Sequence, residues 1–417
     1  MAKSYMFRCY TLVKFQQRPN KGDLTRNKTF HFDFVHEFEA TNTWVNLTNT
    51  LKITFPKNIY VTDSLGNKVL LGGTNSPVQV NELFQRGDAV ELTYGYYTYD
   101  EQGNQHLELP NAPIFQGFIA KVTSKKPIQL ECEDNMWVLK QVPAKPQTWP
   151  KMGTVENLMR SLLAGVTVYG GEQITVNALT ETTIGNFVIQ NESVAQIIMR
   201  LRKDYHLEAY FRGAELRIGS IVYVPTDAVK HNFVFQQNII SDSLDFQRRE
   251  DIKLSIVAES INVKDTGKLN KQGQEKTKKE RLMVLVYPDQ NGNYLYNVKK
   301  QNVDFPANDE GERRKIFIND ATSAFDLATR GAQEMNKYYY SGFRGKFTTF
   351  AIPYVKFGDY VRITDRLMPD RNGTYVVRGV TYKGGVSGHR QEITLDYLVF
   401  DANDNPISFP PPKLAPQ

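Results

Sequence analysis

Hydrophobic and polar positions alternate from the start of the chain. Residues 5–14 form a strand-like run, and TFHFDFVHEFEA at 29–40 puts Phe30, Phe32 and Phe34 at every second position. In an extended chain that spacing gathers the rings on one face, so a half-buried strand is predicted. Turns of one form punctuate the sequence: DSLGN at 63–67, DEQGN at 100–104, DQNGN at 289–293 and DRNGT at 370–374. An aspartate that caps the turn and a glycine that accepts positive φ mark each as a hairpin tip. A calcium loop needs more carboxylates than these supply.

The period changes after VPAKPQTWPK at 142–151, whose prolines mark a linker. In GTVENLMRSLLAGV, Thr154 is placed to cap a helix with Val155, Leu158, Met159, Leu162 and Leu163 on one face and Gly165 as its stop. NESVAQIIMRLRKDYH at 191–206 repeats the helical spacing through Val194, Ile197, Ile198, Leu201 and Tyr205, and LEAYFRGAELRIG then reads as a short hairpin. Residues 146–232 are therefore predicted to form a small α/β unit. Strands resume at 232–263. The lysine-rich stretch 264–282 reads as a solvated, partly disordered hairpin tip, since it lacks the aromatic residues that stack on nucleic-acid bases. A third helix is predicted at about 319–340, capped by Asn319 or Asp320, with Ala321, Ala324, Phe325, Ala328, Ala332 and Met335 along a face small enough for close packing on a sheet. The tail NPISFPPPKLAPQ at 405–417 reads as extended polyproline, unable to join a core, and either loose or docked on a neighbour.

Composition agrees with a β-rich chain: 22 Tyr and 24 Phe accompany abundant Val, Ile and Thr. At 417 residues several domains are expected. The net charge of +6 favours acidic surfaces without marking a dedicated nucleic-acid binder. Cys9 and Cys132 each fall in an apolar stretch and read as small core residues in a reducing compartment. The N-terminal segment lacks the apolar core of an export signal, and LMVLVYP at 282–288 is too short to span a bilayer, so a soluble protein is expected.

Two distant segments share a pattern. RGDAVELTY at 86–94 and FGDYVRITD at 357–365 both read Gly-Asp, one residue, Val, one residue, then Leu or Ile: a tight turn entering a strand with alternate residues buried. Downstream, Gly117 and Gly379 each begin a strand, and a second alternating strand follows, marked by Leu130 or Ile393. Arg86-Gly87-Asp88 is thus read as a structural turn and not as an exposed integrin-binding tripeptide. The repeat predicts two related β-barrel-like domains. Three such chains about an axis would give six similar domains in a ring with true threefold and approximate sixfold symmetry.

Catalytic signatures are absent from the sequence: no phosphate-binding loop, no H-E-x-x-H and no Cys/His cluster at zinc spacing. His31 and His36 lie five apart in a strand pattern and face opposite sides; His106, His206, His231 and His389 are scattered. Glu131, Glu133 and Asp134 could form a glycosidase pair only if the fold brings them together. The expectation is a chain with no catalytic residues, no cofactor and no metal.

Beyond these patterns, WVNLTNTLKITFPKN at 44–58, FQGFIAKV with IQLECEDNMWVLKQ at 115–141, and FGDYVRITD with GTYVVRGVTY resemble the baseplate hub proteins of contractile phage tails. That family is related to late-control protein D and to the N-terminal part of the VgrG spikes of injection systems. The resemblance runs from about 5 to 400, in domain order more than in strict motif. It implies a mainly β fold with α+β parts: a first β-barrel-like hub domain at 1–145, the small α/β domain at 146–232, and a second hub domain at 233–263 and 319–400. An insertion with a basic loop and hairpin at 264–318 and a proline-rich tail at 401–417 complete the division. It further implies a homotrimer in the virion tail or injection-system baseplate, assembled in the host cytoplasm. The implied partners are a separate trimeric spike, the tail tube or a tube initiator, baseplate wedge proteins, and a tape-measure protein in the channel. Residues 16–28 or the insertion could reach a neighbouring baseplate protein. The turn and strand residues expected to build the ring are Gly87, Asp88 and Gly117, with Gly358, Asp359 and Gly379. Two other readings compete: a tail-tip protein of a non-contractile phage, and a β-rich enzyme acting on cell-wall polymer.

Overall fold

The computed structural model describes residues 7–415 except 20–21, 63–67, 72–79, 101, 124–125, 150–152, 180–181, 183, 185–186, 206, 220–227, 270–274, 300–303, 306–310, 319–320, 322 and 408–410. Its largest element is a 14-stranded sheet. The hydrogen-bonded path runs from Ile239–Asp242 through Lys346–Phe350, Arg390–Phe400 and Gly373–Gly385 to Glu37–Thr43. It continues through Thr50–Thr54, Gln129–Glu133, Phe115–Val122 and Ala89–Tyr99 to Phe7–Gln16 and Thr29–Phe32. Lys230–Val234 lies parallel to Tyr360–Thr364, and Gln105–Glu108 folds back on Ala89–Tyr99.

Alternating residues of these strands supply one continuous core. Phe15, Phe32, Phe55 and Phe84 meet at centroid distances of 5.0–6.1 Å at one end, and Phe233, Phe347, Ile363 and Tyr375 fill the other. Burying each large apolar side chain contributes about 1.5–3 kcal/mol. The alternation of Phe30 and Phe32 is real, but the strand stops at Phe32, and Phe34 stands 53% exposed in the bend that follows.

Where two barrels were expected, the two halves share one sheet, joined edge to edge. Gly379–Gly385 pairs with Glu37–Thr43 over seven residues, so the sheet passes from one half of the chain into the other. Among the described residues the path has two free ends and closes into no barrel. Strand edges that closure would use instead link the halves.

A second core gathers helices Val155–Leu163 and Val194–Tyr205 over the strands Glu208–Arg212 and Glu215–Gly219. Thr154 caps the first helix by accepting from the Asn157 amide at 3.2 Å, and Gly165 follows at φ +77°. Ser193 and Gln196 bond reciprocally at the start of the second, a capping box.

The third core lies between a five-stranded sheet and helix Ala324–Asn336. Gly331 lets that helix approach closely: a Cβ there would sit 3.2 Å from both Ala258 Cβ and Val286 Cγ2. Its N-cap is Ser323, which accepts from the Asp326 amide at 3.1 Å; Asn319 and Asp320 lie outside the described residues. Phe325, expected on the packed face, is 53% exposed, and Leu327 takes its place in the core. The helix and the strand Leu254–Leu269 thus pack with the inserted region, whereas the sequence grouped 319–340 and 254–263 with the second barrel.

The basic stretch 264–282 is a hairpin, as expected, and its arms continue an extended ladder, with Lys264 opposite Lys278 and Asp265 opposite Thr277. Only the tip at 270–274 lies outside the described residues. The proline-rich tail docks on its own chain: Lys413–Leu414 lies parallel to Leu295 and Tyr296, and the Ala415 amide donates to the Tyr296 carbonyl at 3.0 Å. Residues after Pro412 regain the N–H groups that a strand needs.

Candidate functional site

The two Gly-Asp turns have the same hydrogen-bond geometry. In the first, the Asp88 amide donates to Gln85 O at 3.1 Å, the Gly87 amide to Ile119 O at 2.8 Å, and the Ile119 amide to Asp88 O at 2.9 Å. In the second, the Asp359 amide donates to Lys356 O at 3.1 Å, the Gly358 amide to Val377 O at 2.8 Å, and the Val377 amide to Asp359 O at 2.8 Å. Gly87 at φ +94° and Gly358 at φ +87° occupy the left-handed region, where a side chain is strained.

The carboxylates are matched too. Asp88 Oδ2 accepts from the Gln85 amide at 2.8 Å and from Arg26 Nη2 at 2.6 Å, while Oδ1 accepts from the Arg18 amide at 3.0 Å. Asp359 Oδ2 accepts from the Lys356 amide at 2.9 Å and lies 3.1 Å from His231 Nε2, while Oδ1 accepts from the Val229 amide at 3.3 Å. Each aspartate closes its own turn with one main-chain bond and ties it to an incoming segment with one main-chain bond and a basic side chain. Gly87 is buried and Asp88 is only 2% exposed, while Arg86 is exposed, so the carboxylate of the Arg-Gly-Asp letters is committed to a structural turn and is not displayed. Arg26 and His231, the partners that complete the turns, carried no local signal; one sits in a polar loop and the other in an ordinary strand pattern.

The match extends across four strands. Val122, Leu130, Ile53 and Phe38 form a cross-strand row in the first half, and Val380, Ile393, Phe347 and Asp242 form its counterpart in the second. Leu130 and Ile393, paired from sequence, do correspond. Gly117 and Gly379 do not. Gly117 lies opposite Val90, and the residue opposite Val361, the counterpart of Val90, is Tyr375. Gly379 corresponds to Lys121, because the second hairpin is longer. The glycines serve different contacts: a Cβ on Gly117 would stand 2.1 Å from the Glu133 carbonyl oxygen, and one on Gly379 would stand 2.9 Å from Thr43 Cβ, at the seam between halves.

That seam is reinforced by His389, 1% exposed, whose Nε2 lies 3.0 Å from Thr11 Oγ1. Tyr96 donates to the His389 carbonyl at 3.2 Å, and Tyr354 to the Glu108 carbonyl at 3.1 Å. Burial holds the His389 imidazole down to about 4, assisted by the nearby Arg390 charge.

The other chemical candidates are engaged structurally. Asp134 accepts from the amides of Asn49 and Met136 at 3.0 Å each, Glu133 pairs with Lys140 at 2.7 Å, and Glu131 pairs with Lys121 at 3.2 Å. His31 and His36 are exposed on the strand 29–32 and the bend after it. Among the described residues no group of three or more His, Cys, Asp or Glu side chains is placed to hold a metal ion. Cys132 is buried as expected, while Cys9 is exposed. The turns DEQGN and DQNGN are hairpin tips: Asp100 Oδ1 accepts from Gln102 and Asn104, and Asp289 Oδ1 from Asn291 and Asn293. In the link at 365–372 the capping carboxylate is Asp365, and Asp370 sits in a 3-10 turn. DSLGN lies outside the described residues. A further turn of the same form, Asp401–Asn405, escaped the sequence pattern because Asp404 at φ +66° takes the glycine's place.

No family model matches the sequence, and no curated protein matches it. Solved structures do match in fold. The tail protein from Neisseria meningitidis MC58 superposes with a TM-score of 0.52 at 11% identity, covering 93% of this chain and 96% of that one. The 43 kDa tail protein of prophage MuSo2 from Shewanella oneidensis superposes at 0.51 with 10% identity, covering 93% and 98%. The mainly β chain therefore has the fold of phage tail proteins. This is the fold that its resemblance to hub proteins implied.

Proposed function

We propose that this chain is a structural baseplate hub, a homotrimer whose two related halves make a ring of approximate sixfold symmetry between a sixfold tail tube and a threefold spike. The observation that carries the reading is the in-register repeat: two turns with the same bonds and two four-residue rows in the same order, within one sheet. A duplicated unit lets a threefold assembly offer six comparable faces, and closed symmetry limits its growth. The likeness in fold to tail proteins supports the same reading.

In this reading the halves around Gly87, Asp88 and Gly117, and around Gly358, Asp359 and Gly379, face the tube or its initiator. The helical unit and the inserted sheet keep the threefold contacts, with a separate spike below and wedge proteins around. A tape-measure protein would occupy the channel. The chain works by shape and interface, without catalysis or a cofactor, within a virion or injection-system tail.

Single-particle electron microscopy with a mass measurement, on the protein alone and with a candidate spike, tests it. A particle of three times the 47.7 kDa of one chain, with a central hole and six similar lobes, is the expected result. A monomer that never forms a ring, even with the spike, overturns it.

A further inference from the structure

Inside one chain, the edge of Gly379–Gly385 is covered by Glu37–Thr43. The corresponding edge in the first half, from Lys121 onward, pairs with nothing among the described residues, because Phe115–Val122 meets Ala89–Tyr99 only as far as Phe118. The counterpart of the covering strand has an open edge as well. Phe38 corresponds to Asp242 and Thr41 to Asp245: Phe38 opposes Ile53 and Thr41 opposes Thr50, as Asp242 opposes Phe347 and Asp245 opposes Arg344. Residues 241–247 thus repeat 37–43. Among the described residues Glu37–Thr43 has neighbours on both sides, whereas Ile239–Asp242 and Asp245–Gln247 have a neighbour on one side only.

We propose that these two open edges pair with each other between copies, the segment 245–247 of one chain lying against 121–123 of the next as 41–43 lies against 379–381 within each chain. The proposal rests on the trimeric ring and names the contact that closes it. The internal register sets the external one: Thr43 with Gly379, Asn42 with Val380 and Thr41 with Thr381 translate to Gln247 with Lys121, Phe246 with Val122 and Asp245 with Thr123.

Burial and charge agree with a second copy as the occupant. Val380 is 1% exposed under its covering strand, while its counterpart Val122 is left half-buried, as is Phe246, the residue assigned to cover it. Exposed Lys121, which also pairs with Glu131, and exposed Lys126 flank the first edge, and the 241–247 segment carries exposed Asp242 and Asp245. Opposite charge across a strand pair favours this partner and disfavours pairing of either edge with itself. The contact is heterologous, so repeating it generates a ring or a filament, and the repeat already present in each chain makes three copies the number for six steps.

Mixing two single variants of the full chain, Lys121→Cys and Gln247→Cys, each also carrying Cys9→Ser, tests the register. Facing residues of paired strands lie within disulfide reach. The mixture should yield a covalent dimer under mild oxidation, while neither variant alone does, and the doubly substituted chain should give a ladder ending at three. A charge reversal, Asp242→Lys with Asp245→Lys, should weaken assembly about tenfold or more and be rescued by Lys121→Glu with Lys126→Glu. If the wild-type mass is trimeric but neither the cross-link nor the rescue appears, the edge pairing is wrong and the ring reading stands. A wild-type protein that is monomeric under every condition overturns both.

Discussion

Arg26 Nη2 meets Asp88 Oδ2 at 2.6 Å, with the two side chains 4% and 3% exposed. The pair fastens the loop after the first strand to the turn that launches Ala89–Tyr99. Removing one member of a buried ion pair leaves the other uncompensated, at a cost of about 3–5 kcal/mol. Arg26→Met should lower the denaturant midpoint accordingly, and Asp88→Ala should lower it further, because it also strips acceptors from the Gln85 and Arg18 amides.

Gly358→Val places a β-branched residue at φ +87°. Strain of about 1–3 kcal/mol is expected, and the thermal midpoint should fall. Gly358→Asn should cost less, since asparagine tolerates the left-handed region. Equal melting of the two variants would contradict the turn geometry.

Gly117→Ala tests close approach, not conformation. The added methyl carbon would stand 2.1 Å from a main-chain oxygen that has no side-chain freedom to yield. Soluble expression should drop sharply, whereas Gly103→Ala, with nothing within 4 Å and only its positive φ to satisfy, should remain soluble.

Acid should loosen the seam between the halves. His389 has a folded pKa of about 4 against an unfolded value near 6.5, so its contribution is complete above about pH 6.5 and is lost as pH falls toward 4. Up to about 3 kcal/mol follows from that difference. Comparing pH-dependent melting of the wild type with His389→Gln isolates this contribution from the carboxylates: the wild-type curve should fall more steeply between pH 6.5 and 4.

Local structure was largely legible in the residues. Thr154 caps its helix as the pattern indicates, and the Gly-Asp turns were readable because Gly87 and Gly358 answer a backbone demand that few other residues meet. What the sequence did not reveal is non-local. Nothing in GVTYKGG announces that it pairs with EFEATNT more than three hundred residues earlier, and alternation alone fits any partner strand. The mismatch of Gly117 with Gly379 has the same root: two glycines at similar spacing look alike until the contacts above them are known. His389 was equally silent, because burial against Thr11 and Tyr96 comes from the far half of the chain.

The seam also sets a timetable for synthesis. Strand Glu37–Thr43 leaves the ribosome well before its partner Gly379–Gly385, and at ordinary translation rates of about 5–20 residues per second the wait is roughly 20–70 s. Throughout that interval one edge of a β-rich nascent chain stands open to other nascent chains on the same message. Yield of this protein should therefore depend on elongation speed and on the chaperones that shelter the emerging first half, more than on the stability of the finished sheet.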